Sequence, residues 1–210
     1  MAPGWERWRA QLTEALTPVR EWLIGALGPQ PGETVLELGA GTGETGFEAA
    51  ALLGEDGRLI SSDFSPEMVE VAPRRGSELG LSNVEYRVID AERVELDSGS
   101  VDGVLCQSTY MLVADPAAAL AETRRVLRSG GRMALSVWGP PERNPWASIG
   151  GMILLERGHM APPEPEAPGV FSMASAERTR ALLERAGFRS VRIEEVSVRF
   201  AFRALDEYEQ

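Results

Sequence analysis

Residues 34–46 read TVLELGAGTGETG, and this stretch decides the fold. Its first half, Val35 to Leu38, is a short apolar run with one carboxylate, which is typical of a strand buried on both faces of a parallel sheet. Its second half carries four glycines within eight residues, Gly39, Gly41, Gly43 and Gly46. Glycine tolerates positive φ and lacks a Cβ, so the backbone can turn sharply here and let a ligand approach closely.

The residues that follow the glycines favour a helix. Residues 44–53 read ETGFEAAALL, an alanine-rich segment of strong helix formers. A strand, a glycine loop and a helix in this order direct the free N–H groups of the helix start into a crevice at the sheet edge. The stretch therefore predicts a cofactor-binding loop.

The identity of the cofactor depends on charge. Residues 41–46 match G-x-G-x-x-G, and Asp63 follows about twenty residues later, as a dinucleotide-binding fingerprint requires. Against this, Glu37 stands two residues before Gly39, where a carboxylate would repel a pyrophosphate but hold a cation. S-adenosylmethionine carries an ammonium, a sulfonium and no phosphate, so the charge favours it. A nicotinamide-dependent oxidoreductase and a non-catalytic S-adenosylmethionine-binding protein stay open as alternatives.

Composition excludes several other classes of protein. All 21 basic residues are arginines, which excludes a lysine Schiff base, a P-loop lysine and a Tyr/Lys proton relay. The net charge of −11 would repel nucleic acid as a substrate. The single cysteine, Cys106, excludes an intramolecular disulfide and a cysteine-cluster metal site, and is expected to be a small buried hydrophobe.

Length and hydropathy predict one domain. A chain of 210 residues suffices for one core. No apolar run approaches the roughly 18 residues of a membrane helix, and the N-terminus lacks a signal-peptide core. We therefore expect no membrane span and a cytoplasmic location.

Strand and helix patterns alternate along the rest of the chain. The later strands are expected at residues 58–63, 83–89, 101–106 and 133–138 and, by alternation, 189–202. Ser65 and Asp115 are expected to cap the helices that follow them, each with a proline in the first turn. The alternation predicts the fold class α/β, an open, mostly parallel twisted sheet with helices on both faces.

The first thirty residues are predicted to form a helical cap on this sheet. Apolar side chains recur at helical spacing from Trp5 and Trp8 to Leu27, and Pro18 is expected to break or kink the helix. Packing on the core and a lid over the site are both open for this segment.

The motifs, taken together, resemble a known family. VLELGAGTG, SSDFSPEM, IDAE and RRVLRSGGRMALSVWGPPERNPW resemble, in this order, the motifs of class I S-adenosylmethionine-dependent methyltransferases. The small-molecule group that includes the ubiquinone/menaquinone C-methyltransferases is the most similar, and the resemblance runs from Pro29 to Trp146. It implies a Rossmann-like fold, S-adenosylmethionine as the cofactor and a small-molecule methyl acceptor.

The resemblance also implies a set of cofactor-binding residues. They are Glu37, Gly39, Ala40, Gly41, Gly43, Asp63, Phe64, Met68, Asp90, Ala91 and Gln107. The loop residues and Glu37 would surround the methionine end, and Asp63 would accept both ribose hydroxyls. Asp90 and Ala91 would bind the adenine edge, while Phe64 and Met68 would either sandwich the ring or belong to the core.

Methyl transfer needs little from side chains. It is an in-line displacement at carbon with a good leaving group, so alignment and water exclusion suffice unless a proton must leave the acceptor early. The candidate base is His159, the sole histidine, and Tyr110 is a candidate contact to the acceptor. Gln107 follows the fourth strand, where the reactive methyl points. The apolar insertion predicts an apolar or aromatic acceptor, with O-, N- or C-methylation open.

The C-terminus departs from the family pattern. Relatives place a further antiparallel strand beside the fifth, whereas this sequence stops soon after the expected sixth. We expect the last strand to be absent, and a truncated chain or a strand supplied in another way stays open. We divide the domain into a cap (1–30), a cofactor-binding core (31–139), a substrate-side insertion (140–174) and a last helix and strand (175–210). An unpaired edge would leave a homodimer open as the oligomeric state.

Overall fold

A computed structural model of the chain describes residues 11–161 and 167–200. Its centre is one sheet of five parallel strands in the order β3-β2-β1-β4-β5. The strands are β1 (Thr34–Leu38), β2 (Arg58–Asp63), β3 (Val84–Val88), β4 (Val101–Gln107) and β5 (Leu127–Ser136). The predicted α/β class with a parallel sheet is confirmed.

Helices cover both faces of this sheet. They are α1 (Thr17–Leu27), α2 (Glu44–Leu53), α3 (Pro66–Glu78), α4 (Pro116–Val126), α5 (Pro145–Glu156) and α6 (Ala176–Arg185), with a 3₁₀ turn at Pro141–Arg143. One core joins α1, α2 and α3 to side chains such as Val35 and Leu59. The other joins α4 and α6 to Leu36 and Val104. Neighbouring β1 residues thus point into opposite cores, which explains why the strand is apolar throughout.

The topology fixes where a ligand can bind. The chain runs outward from β1 to β2 and β3, then returns to the other side of β1 with β4 and β5. The carboxyl ends of β1 and β4 therefore form a crevice, since the connections leave them in opposite directions. The glycine loop after β1 and Gln107 at the end of β4 both lie at this crevice.

Helix boundaries follow the predicted capping signals. The Asp115 carboxylate accepts hydrogen bonds from the N–H groups of Ala117 and Ala118 at 2.9 and 3.0 Å. Pro18 lies in the first turn of α1, after an interruption at Leu16, so the predicted break is confirmed. Pro73 lies inside α3, which continues through it to Glu78. Trp5 and Trp8 lie outside the described residues.

Two strand predictions near the C-terminus are wrong. The fifth strand begins at Leu127 instead of Met133, because an irregularity between Val101 and Gly103 lets the preceding turn pair with β4. Residues 189–200 form no strand, and residues 201–202 lie outside the described part. Within that part nothing pairs with the outer edge of β5. A strand needs a neighbour for its backbone groups, and this segment is held by side chains instead.

Candidate active site

The glycine loop is joined to the end of β2. The Ala40 N–H donates to the Ser62 carbonyl at 2.8 Å, and the Gly41 N–H donates to Asp63 Oδ2 at 2.9 Å. Gly39, Gly41 and Gly43 have φ angles of +68°, +56° and +92°, a region that other residues rarely adopt. The sequence's glycine spacing is thus a direct requirement of this backbone path.

The glycines differ in what surrounds them. A Cβ on Gly39 would overlap the Thr109 side chain, which approaches from the loop after β4. A Cβ on Gly41 would meet nothing within 4 Å. Gly39 therefore permits two loops to touch at the crevice, whereas Gly41 faces open space that a ligand can occupy.

Glu37 is turned away from that open space. Its side chain is buried, and Oε1 accepts the Gly46 N–H of α2 at 2.8 Å. A Cβ at position 46 would overlap this carboxyl group, which explains the fourth glycine. Burial raises the pKa of Glu37 to about 8, so the group is mostly protonated at pH 7. The charge argument against a pyrophosphate is correspondingly weak, and a role with an ammonium stays a prediction.

Asp63 links the loop to the next helix. Its Oδ2 accepts the Gly41 N–H, and its Oδ1 accepts the Ser65 N–H at 2.9 Å. Each carboxylate oxygen can accept a further bond, so the half-buried group can still take the two hydroxyls of a ribose. Its position at the end of β2 fits the predicted role, which stays a prediction.

The residues predicted to bind adenine lie at the ends of β2 and β3. The Phe64 ring is 73% exposed, so it is free to contact a ligand, whereas Met68 is buried in the first turn of α3. Asp90 is exposed and its Oδ1 accepts the Glu92 N–H at 2.9 Å, while Ala91 is buried beside it. Phe64 is thus better placed than Met68 to stack on a ring.

Gln107 has a side-chain partner that the sequence did not suggest. The Thr45 hydroxyl, in the first turn of α2, donates to Gln107 Oε1 at 2.6 Å. In the sheet register Gln107 is opposite Ser136, the last residue of β5. The Ser136 hydroxyl is buried and has no hydrogen-bond partner within the described residues. The bond from Thr45 to Gln107 thus joins the start of α2 to the end of β4.

Tyr110 is not the acceptor contact that we predicted. The side chain is fully buried, and its hydroxyl lies 2.5 Å from that of Thr123 in α4. The apolar surroundings raise the pKa of Tyr110 well above its usual value. The ring faces the core because the chain turns inward after β4, which the sequence does not reveal. Cys106 is buried as expected, and burial raises the pKa of its thiol to about 12.

The far side of the crevice carries an aromatic cluster of Trp138, Trp146 and Phe200. The ring centroids of the two tryptophans are 4.9 Å apart, and Phe200 lies 5.1 Å from Trp146. Helix α5 continues from this cluster with no buried residue and exposes Ile149, Met152 and Ile153.

Two further residues of the insertion, Met173 and His159, lie in different surroundings. Met173 is 1% exposed and belongs to the core, so it cannot line an acceptor pocket. His159 is exposed just beyond α5, and its role as a base stays a prediction.

The site can bind a ligand but shows no reactive side-chain cluster. Over residues 11–161 and 167–200, no group of three or more His, Cys, Asp or Glu side chains could hold a metal ion. Nor does any helix in these ranges have the length and apolarity needed to cross a membrane. The crevice offers backbone N–H groups, one carboxylate and one carboxamide, which suit binding and alignment.

Sequence reasoning missed Thr45, Thr109 and Trp138. Thr45 and Thr109 act across the crevice, on partners 62 and 70 positions away, and no local pattern marks such pairs. Trp138 could have been found, because it stands two residues after β5 at the same sheet edge as Gln107.

Comparison with known proteins agrees with this geometry. Residues 29–143 match the family described as "Methyltransferase domain". The chain is 35% identical over 136 residues to a demethylmenaquinone methyltransferase of Beutenbergia cavernae, covering 64% of this chain and 53% of that protein. It is 34% identical over 123 residues to an aklanonic acid methyltransferase of Streptomyces sp. strain C5, covering 59% and 56%. The chain thus spans about half the length of these relatives.

A solved structure extends the likeness. The fold matches a SAM-dependent methyltransferase from Aquifex aeolicus with a TM-score of 0.65 and 25% identity. The match covers 84% of this chain and 83% of that one, so it includes the sheet and both helical layers.

Proposed function

Because the chain belongs to the methyltransferase-domain family, we propose that it transfers a methyl group from S-adenosylmethionine to a small apolar or aromatic acceptor. The observation that carries the proposal is the crevice between β1 and β4, where the glycine loop, Asp63 and Gln107 converge. Whether oxygen, nitrogen or carbon accepts the methyl group is open.

The family assignment confirms the resemblance seen in the motifs, and S-adenosylmethionine is the cofactor that it implies. The alternative of a nicotinamide-dependent oxidoreductase is therefore set aside. The six-residue glycine pattern that suggested it matches because both cofactor types use a glycine turn between strand and helix.

The residues present fit this cofactor. Open space over Gly41, exposed Phe64 and the remaining acceptor capacity of Asp63 suit a nucleoside. We assign the ribose to Asp63, the adenine to Phe64, Asp90 and Ala91, and the methionine end to residues 39–43 with Gln107. Met68 and Glu37 are buried and would support the residues that contact the cofactor. When bound, the cofactor supplies a methyl group on a cationic sulfur.

The protein's contribution to the reaction is alignment. The loop and Asp63 are held by mutual hydrogen bonds before any ligand arrives, which lowers the entropic cost of orienting the reactants. The exposed apolar side chains of α5 and the aromatic cluster can exclude water from an acceptor. His159 is the candidate base for an acceptor whose proton must leave early.

The acceptor class is inferred from the lining of the far side. Trp138, Trp146 and Phe200 offer ring faces, and α5 offers aliphatic side chains without a charge between Pro145 and Leu155. We infer that the segment 140–174 is the substrate-side insertion. A net charge of −11 supports a small molecule over nucleic acid as the acceptor. The same charge agrees with a cytoplasmic location. A homodimer is one candidate assembly.

Two measurements test the proposal. Calorimetry with S-adenosylmethionine, S-adenosylhomocysteine and NADH should give binding of the first two only, and NADH binding alone would refute the cofactor. Formation of S-adenosylhomocysteine should then appear with at least one member of a panel of phenols, quinols and lipids. Cofactor binding without turnover on any acceptor would favour the remaining alternative, a non-catalytic S-adenosylmethionine-binding protein.

Asp63→Ala tests the placement of the ribose. Loss of hydrogen bonds to a charged group should weaken cofactor binding by about 1–3 kcal/mol, that is, roughly 5- to 150-fold in Kd. Asp90→Ala is the matched comparison at the adenine edge and should weaken binding less, because that side chain is exposed. Unchanged affinity in Asp63→Ala would contradict the ribose role.

A further inference from the structure

The carboxamide of Gln107 has a direction that another residue sets. Thr45 is 5% exposed, and its hydroxyl donates to Gln107 Oε1 at 2.6 Å. Thr45 belongs to the first turn of α2, so the helix fixes its Cα, and the side-chain rotamer sets the direction of the donor. This single bond joins α2 to the end of β4 across the crevice.

The bond determines which face of the amide meets a ligand. With Oε1 taken by Thr45, the Nε2 group is directed to the other side and offers two N–H donors. It has no acceptor within the described residues. Because Gln107 is only half-buried at the crevice mouth, these donors are accessible to a bound molecule.

The chemistry of the donors selects the ligand group. At the methionine end of S-adenosylmethionine the ammonium can only donate and the sulfonium repels positive charge, so the α-carboxylate is the group that can accept. One N–H group can donate to a carboxylate oxygen, and a hydrogen bond to a charged acceptor is about twice as strong as a neutral one. The first turn of α2, which is adjacent, carries a partial positive charge at the helix N-terminus, and this charge also attracts a carboxylate.

We propose that Thr45 is a positioning residue, which holds the Gln107 amide so that its N–H groups bind the α-carboxylate of the cofactor. This inference rests on the proposed function. It assigns a role to Thr45 and gives the cofactor contact predicted for Gln107 to the side-chain nitrogen.

The test compares two ligands that differ at the carboxylate. S-adenosylhomocysteine has the amino-acid group, and 5′-methylthioadenosine lacks it. Thr45→Val should weaken S-adenosylhomocysteine binding about tenfold in calorimetry and leave 5′-methylthioadenosine binding unchanged. Thr45→Ser keeps the hydroxyl and should restore wild-type affinity. Gln107→Leu should reproduce Thr45→Val, and the double variant should add nothing further.

Four results would overturn the proposal. The first three are equally weakened binding of both ligands, an unchanged affinity for S-adenosylhomocysteine, and failure of Thr45→Ser to restore that affinity. A rise in acceptor KM alone would instead assign the amide to the acceptor and also overturn it. Thermal unfolding shows whether each variant is folded. If Thr45→Val does not fold, the ligand affinities of Gln107→Leu test the proposal. A wild-type protein that binds neither ligand refutes the proposed function itself.

Discussion

The two sides of the crevice are built differently. On the cofactor side, backbone N–H groups of the glycine loop already pair with Ser62 and Asp63, and the buried Glu37 supports α2 from below. On the side that we propose for the acceptor, α5 has no buried residue, and its Trp146 packs against Trp138 and Phe200. One side is fixed before binding, whereas the other has many exposed apolar side chains.

The difference teaches what each ligand requires. A cofactor of fixed shape binds better to a rigid backbone, because groups that are already ordered add no entropic cost on binding. Segments with few buried contacts open at low free-energy cost, and binding elements are often drawn from them. We therefore expect damage to the cofactor side to cost stability and damage to the acceptor side to cost turnover.

The largest effect is expected from Gly39→Ala. The new methyl group would overlap Thr109 at a φ of +68°, so left-handed strain and overpacking add to about 2–5 kcal/mol of lost unfolding free energy. Gly41→Ala is the matched control, since its φ is +56° but its surroundings are open, and it should cost only about 1 kcal/mol. Urea denaturation measures both. Equal losses would mean that close packing does not distinguish the two positions.

A pH-dependent effect is expected from Glu37. Its pKa rises from 4.5 in the unfolded chain to about 8 in the folded one, so the folded state binds the extra proton between these values. The contribution of this carboxyl group to the free energy of unfolding is complete below pH 4.5. It falls as pH rises through 8, by up to about 1.4 kcal/mol per pH unit.

Glu37→Gln removes that titration. The amide keeps the bond from Gly46 and should abolish the decline relative to the wild-type protein, as measured by denaturation at pH 5, 6, 7 and 8. If the difference between the two proteins did not change over this range, the carboxyl group would not be protonated in the folded state.

On the acceptor side, Trp146→Ala should reduce turnover without changing cofactor Kd. Loss of two ring contacts costs about 1–2 kcal/mol of stability and opens the wall that would exclude water from the acceptor. Met152→Ala on the same helix, whose side chain is 53% exposed, should change stability by less than about 0.5 kcal/mol. A weakened cofactor Kd in Trp146→Ala would show that the two sides are not separate.

Apart from the control variants, the smallest effect is expected from Tyr110→Phe. Thr123 keeps its bond to the Ala119 carbonyl, so the loss should be about 1 kcal/mol of stability, with turnover unchanged. A large fall in turnover in a folded variant would reinstate Tyr110 as an acceptor contact.

Local patterns predicted most of the fold. The apolar run of β1, the glycine loop, the cap at Asp115 and the helix break next to Pro18 appear in the structure, because each depends on neighbours a few positions away. The expected strand at 189–202 failed within its described residues, because a strand depends on a partner that alternation cannot supply.

The sequence by itself determined the order of strands and helices, the family and the type of cofactor, since these follow from short-range spacing and motif order. Only the tertiary structure decided where individual side chains point. Glu37 turns beneath α2, Tyr110 turns into the core, and Thr45 fixes the amide of Gln107. The reason is physical: burial and hydrogen bonding join residues that are distant in the chain, and their energies override what each residue type suggests alone.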